Sequence, residues 1–242
     1  MLLPTMNHQE IFSQIQREYE KIRATTIERL FDEYDRERKK LKIKKDDPYI
    51  REYSIKTHGK NNWIIFMEKS PAIEKYKKGG YINFIAIIYY YSEQGLRVLH
   101  TQENALVSFS SHFFKRYNER MKLNLSNPLD IVKAYFRTGT YGRNKMIENG
   151  TTTQIIGFRP QGLQFGLVKY DKSYIEWKTF VNNELAFRSQ EKIKREAIKE
   201  LKAGIEAVKL FQSIGMYEEE LEKNLLILQN SYLSLTGEKL IA

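Results

Sequence analysis

The 242-residue sequence predicts an α+β fold, an antiparallel sheet with short packed helices, flanked by long N- and C-terminal amphipathic helices. Three observations predict it. Apolar residues recur at helical spacing near both ends of the chain; the middle reads as short apolar and aromatic runs separated by turn residues; and two short segments between those runs begin with helix caps. This divides the chain into an N-terminal helical extension (1–48), an α+β core (49–182) and a C-terminal helical segment (183–242) packed on the core or on a second subunit.

In the first segment, Ile11, Ile15, Tyr19, Ile22, Ile27, Leu30, Phe31 and Tyr34 keep a helical rhythm among many charges from about Asn7 to Lys42. A break is expected near Thr25-Thr26, and Asp46-Asp47-Pro48 ends the segment because proline disfavours helix in its predecessor. Strands are expected at Tyr49 to Ile55, Asn62 to Met67, Ile82 to Tyr91, Leu96 to His100 and Ala105 to Phe109. Ser110 or Ser111 can cap a helix ending near Met121, and Asn127-Pro128 opens another that Gly139 closes. Gly139 to Gly150 reads as a flexible loop. Gln154 to Phe158, Leu163 to Tyr170 and Tyr174 to Val181 form an expected antiparallel meander. A second long helix follows from Asn183 to Ser213, and Gly215 separates it from a last helix through Leu221, Leu225, Leu226 and Leu228.

Composition narrows the function classes. Forty Lys and Arg against 30 Asp and Glu give a net charge of +10, which attracts polyanions: nucleic acid, an anionic surface or an acidic protein. The absence of cysteine excludes disulfides, a thiol nucleophile and thiolate-ligated metals. The four histidines are dispersed without metal-ligand spacing, and no cofactor is predicted. The opening residues lack the apolar stretch of a signal peptide, and no run reaches the ~20 apolar residues of a membrane span. A cytoplasmic protein without membrane association is the expectation.

The chemistry-bearing stretch is Ser110 to Met121, SSHFFKRYNERM. On a helix, His112, Arg116 and Arg120 fall at i, i+4 and i+8 on one face, beside an aromatic packing stripe of Phe113, Tyr117 and Met121. Guanidinium forks suit phosphate oxygens, and a histidine near a helix start is favoured in its neutral, proton-accepting form. That combination fits metal-independent RNA cleavage: His112 moves a proton at a 2′-hydroxyl while Arg116 and Arg120 stabilise the phosphate charge. A second proton-transfer group would come from Tyr141, Lys145, Lys178, Thr179 or Arg188.

The pattern Phe109-Ser110-x-His112-x3-Arg116-x3-Arg120, followed by a helix and several strands, resembles the Phe-Ser-x-His-Ala-x2-Arg-x3-Arg pattern of small bacterial and phage domains often placed near RelE-like and BrnT-like ribonuclease toxins. The likeness covers roughly 105–190 and implies a ribonuclease role for His112, Arg116 and Arg120, with Lys178-Thr179 as a weaker match. The sequence departs from the pattern at Phe113, where those domains often have a small residue, and lacks an Arg-Gly ending after the second arginine.

Arg143, Lys145, Lys169 and Tyr170 are candidate nucleic-acid contacts outside that helix. The aromatics Phe158, Phe165, Tyr170 and Trp177 interleave with bases as a stacking surface would, but strand alternation favours them as core. Exposure of Tyr170 together with Lys169 or Lys172 is the feature that decides between these. Two alternatives stand beside RNA chemistry. The histidine and arginines can cap strands or pair with carboxylates, and the protein can be a structural or regulatory module that binds a protein partner or polyanion. The terminal helices, especially Leu221 to Leu235, could serve a homodimer.

Overall fold

In the computed structural model the described residues are 2, 6–43, 49–69, 82–102, 104–138, 143–149, 152–159, 161–170, 172–185 and 188–213, with Leu225, Leu228, Gln229, Tyr232 and Thr236. Helix α1, His8–Ile22, starts at a reciprocal cap. The Asn7 side chain accepts from the backbone N–H of Gln9 and Glu10, while Glu10 accepts from the Asn7 N–H at 2.8 Å. The expected break near Thr25-Thr26 is a change of pitch instead. A π-helical turn, Arg23–Ile27, joins α1 to α2, Glu28–Lys40, and Thr25 Oγ1 donates to the Lys21 carbonyl within it. Ile15, Ile22, Ile27, Leu30 and Tyr34 form the buried row.

Among the described residues, nine strands make one sheet. The first five, β1 Ile50–Lys56, β2 Asn62–Lys69, β3 Ile82–Ser92, β4 Gly95–Gln102 and β5 Ala105–Phe109, form an antiparallel meander. Helices α3, Ser111–Arg120, and α4, Pro128–Phe136, then carry the chain to the far edge of the sheet. Their starts are the expected ones: Ser110 Oγ accepts from the Phe113 N–H, and Asn127 Oδ1 from the Leu129 N–H with proline at the first position. A second meander returns through β6 Arg143–Asn149, β7 Thr152–Arg159, β8 Gly162–Lys169 and β9 Tyr174–Asn182.

Because the second meander starts at the outer edge, its last strand arrives beside β5 running in the same direction. The strand order is β1-β2-β3-β4-β5-β9-β8-β7-β6, and the β5–β9 pair is parallel in an otherwise antiparallel sheet. The loop expected from Gly139 to Gly150 is corrected: residues 143–149 are edge strand β6, paired with β7 from Arg143↔Phe158 to Asn149↔Thr152. Its charged and amide side chains disguise it as a loop, and such residues are what keeps an edge from recruiting further strands. The helix expected from Asn183 opens as a 3-10 turn, Asn183–Leu185, before α5, Arg188–Ser213.

Helices cover both faces. On one, α3 and α4 enclose the aromatic core around Phe109, whose ring has Phe113, Phe114, Tyr135, Phe136 and Trp177 at centroid distances of 5.2 to 6.4 Å. On the opposite face, α1 and α2 pack on Trp63, Ile65, Met67, Ile88 and Leu99 of the first meander. There Glu18 accepts from Thr57 Oγ1, Asn61 Nδ2 and Trp63 Nε1 at 2.7 to 3.0 Å, tying α1 to the start of β2. The same face of the second meander is covered by Ala197, Leu201 and Ile205 of α5, spaced by one helical turn, over Ile156, Phe158 and Leu163. Leu225 and Tyr232 are buried in that same cluster, while most of the segment proposed as a dimer surface lies outside the described residues. Among the described residues no helix is long and apolar enough to cross a membrane.

One buried base makes stability depend on pH. His100 lies against Phe109 on the α3–α4 side, with Nδ1 donating to the Thr101 carbonyl at 3.2 Å. The residue as a whole is half-buried. Desolvation pushes its pKa down to about 4, helped by the Arg159 charge and opposed by the Thr101 hydrogen bond. The folded state therefore binds its proton less readily than the unfolded chain, where the value is about 6.5. The contribution of this group to stability is fully present above pH 6.5 and should be lost as pH falls from 6.5 to about 4, by roughly 2–3 kcal/mol. Urea unfolding of wild type and His100→Phe across that range checks this: the mutant curve should be flatter between pH 6.5 and 5, above the carboxylate range.

Candidate functional site

Between the ground covered by α1–α2 and that covered by α5, the same sheet face turns polar. Alternation along β5 puts Ser108 on the side of Leu106, and the parallel register sets Ser108 beside Glu176 and Leu106 beside Tyr174. Arg97 on β4 shares this face, since its neighbours Leu96 and Val98 belong to the opposite core. A bulge adds two more groups. The β8–β9 register slips between Phe165 and Gly166, so Trp177 and Phe180 both point into the aromatic core while Lys178 and Thr179 lie between them.

Glu176 is the centre of this polar floor and only 7% exposed. Its Oε1 meets Lys178 Nζ at 2.6 Å and Arg97 Nη1 at 3.7 Å, and its Oε2 accepts from Lys169 Nζ at 3.0 Å. Burial alone would raise its pKa, but hydrogen bonds and charge from Lys178 and Lys169 outweigh that and hold the carboxyl below the ordinary value. Reciprocally, the hydrogen bond to Glu176 raises Lys169 against its own desolvation. The carboxylate is thus ionised beneath three cations.

Two concavities meet at this cluster and share Gln94, Arg97 and Glu176. The larger, about 750 Å³, is a groove bordered by Tyr90, Tyr170 and Tyr174, with Lys60, Lys169 and His8. Tyr170 is 58% exposed, whereas Tyr91, paired with Leu96, is turned by strand alternation to the α3–α4 side of the sheet. His8, at the start of α1, stacks on Tyr170 with ring centroids 3.9 Å apart and planes 6° from parallel, and Tyr174 meets both edge-on. The smaller cavity, about 480 Å³, is formed by Ser110, Ser111 and His112 at the head of α3 together with Lys178 and Thr179. Among the described residues, Lys60, Arg97, Lys169 and Lys178 face only two carboxylates, Glu93 and Glu176, along the joined concavities. The arrangement suits an extended anion that also carries flat rings.

The expected His-Arg-Arg row is divided by this geometry. His112 is exposed and borders the smaller cavity. Arg116 is turned to solvent, paired with Glu119 at 3.0 Å. Arg120 holds the end of β9: its guanidinium donates to the Phe180 carbonyl and to Thr179 Oγ1, and Asn182 Nδ2 donates back to the Arg120 carbonyl at 2.8 Å. Lys178 lines the cavity with His112, whereas Lys145 pairs with Glu200 of α5 at 3.3 Å, away from it. The side chains of Arg143 and Arg188, and all of Tyr141, lie outside the described residues.

Among the aromatics, Phe158 and Trp177 are core, while Tyr170 is exposed beside exposed Lys169 and Lys172, the combination expected of a stacking surface. Sequence reading missed Arg97 and Glu176. The available signal was a lone acid in a strand flanked by Lys169, Lys172 and Lys178, but its pairing with β4 and β5 is a tertiary fact. Compared with family models, with curated proteins and with solved structures, the chain finds no match.

Proposed function

We propose that this is a cytoplasmic protein that binds single-stranded RNA in the tyrosine-bordered groove. The observation that carries the reading is the widely exposed ring of Tyr170, beside Tyr174 and on the same sheet face as Tyr90, together with a surplus of cations in one groove that continues to His112. Bases stack on such rings for roughly 1–3 kcal/mol each, without needing a particular sequence, while Lys and Arg displace counterions from the backbone. A duplex hides its base faces, so a groove of this kind favours single strands. The lining comes from one chain, so the reading needs no second copy.

Catalysis takes a lesser place. His112 borders the cavity, but Arg120 is engaged in holding β9 and Arg116 pairs with Glu119, so neither is aimed with His112 at a common phosphate. Binding of a short fluorescent RNA in chelator tests the reading. Affinity should fall linearly with the logarithm of salt concentration, and Tyr170→Ser should weaken it roughly tenfold. Binding indifferent to salt and to that substitution would overturn it. Fragments ending in cyclic phosphate, released by wild type and not by His112→Ala, would replace it with the ribonuclease reading.

A further inference from the structure

Building on the groove reading, we infer that the cavity between Arg97 and the head of α3 is a subsite for the terminal monophosphate of the bound strand. Charge is the first argument. Glu176 offers one negative charge to three cations; Lys169, on its Oε2, lines the groove, whereas Arg97 and Lys178, both on Oε1, line the cavity. Three cations share this one carboxylate, so the cluster keeps a net charge of +2, and Glu176 is the only acid among the described residues lining the cavity.

A phosphodiester carries one charge and has two of its oxygens esterified. A terminal monophosphate carries about −1.5 to −2 near neutral pH and presents three strong acceptor oxygens. A cluster with a net charge of +2 therefore fits the monoester and overcompensates the diester.

The donors are arranged to suit it. Arg97 Nη2 donates to Gln94 Oε1 at 2.7 Å, which fixes the guanidinium plane beside Glu176. Thr179 Oγ1 already accepts from Arg120, so its own proton is directed elsewhere to donate. His112 borders the same cavity and supplies a ring N–H. Because the groove and the cavity share Gln94, Arg97 and Glu176, a strand stacked on the tyrosines can deliver its end here without leaving the surface.

The test compares three otherwise identical fluorescent single-stranded RNAs, ending in a 5′-phosphate, a 3′-phosphate or hydroxyls only. One of the two phosphorylated RNAs should bind roughly tenfold tighter than the hydroxyl-ended one. Lys178→Gln and, separately, His112→Ala should shrink that ratio to about twofold or less, the two variants guarding against a folding defect in either. Equal binding of all three RNAs overturns the phosphate subsite while the groove reading stands. Failure to bind any of them overturns both.

Discussion

Replacing Phe109 with alanine is expected to lower the unfolding free energy by about 3–5 kcal/mol, a large share of the stability of an ordinary domain. Phe109 is 1% exposed at the end of β5, where the first meander passes into α3, and its ring meets side chains from α3, α4 and β9. Its removal opens a cavity bounded by aromatic rings, which are too stiff to collapse into the space. The same substitution loosens the place where both meanders and the crossover helices meet, so the loss should also appear as reduced cooperativity in urea unfolding. A loss under about 1 kcal/mol would mean that this cluster is not the keystone of the sheet.

Arg120→Ala is expected to cost about 2–3 kcal/mol, while Arg116→Ala, one helical turn earlier on the same face, should change stability by no more than about 0.5 kcal/mol. The difference follows from where each guanidinium ends. Arg120 makes charge-assisted bonds to the Phe180 carbonyl and Thr179 on a partly buried strand end, and its loss strands those acceptors. Arg116 and Glu119 form an exposed ion pair, which water and salt replace at little cost. Thermal unfolding of the two variants beside wild type measures this directly. Equal stabilities would return both arginines to the status of a matched functional pair.

The contrast shows where sequence reading succeeds. Local signals were legible: Ser110 and Asn127 cap their helices as their side chains dictate, and the alternation in 154–181 yields the second meander. Ile15, Ile22, Ile27, Leu30 and Tyr34 form the buried helical row that their spacing requires, even though the backbone passes through a π turn between them. Long-range relations were not legible. Nothing in the composition of Ala105–Phe109 or Tyr174–Asn182 says that they pair in parallel, because that follows from the α3–α4 crossover reaching the far edge. β6 escaped because an edge strand needs apolar residues only sparingly.

The site was legible in the same partial way. His112 was visible from its helix, and Lys178, Lys169 and Tyr170 from their strands, but the carboxylate that organises them was not. Arg97 and Glu176 are ordinary strand charges until β4, β5 and β9 lie side by side. Helical spacing also overstated the arginine row. It places three side chains on one face, yet long side chains reach different partners from it, and Arg120 finds a backbone carbonyl where Arg116 finds a carboxylate.

Ultraviolet cross-linking of a bound single-stranded RNA, followed by peptide mapping, tests the central claim most directly. Adducts are expected to concentrate on Tyr170 and on the segments around Tyr90, Arg97 and Glu176, diminishing as salt is raised. RNA bound with its adducts instead on α5 or on the outer face of β6, or no adduct at Tyr170, would contradict the groove as the binding site.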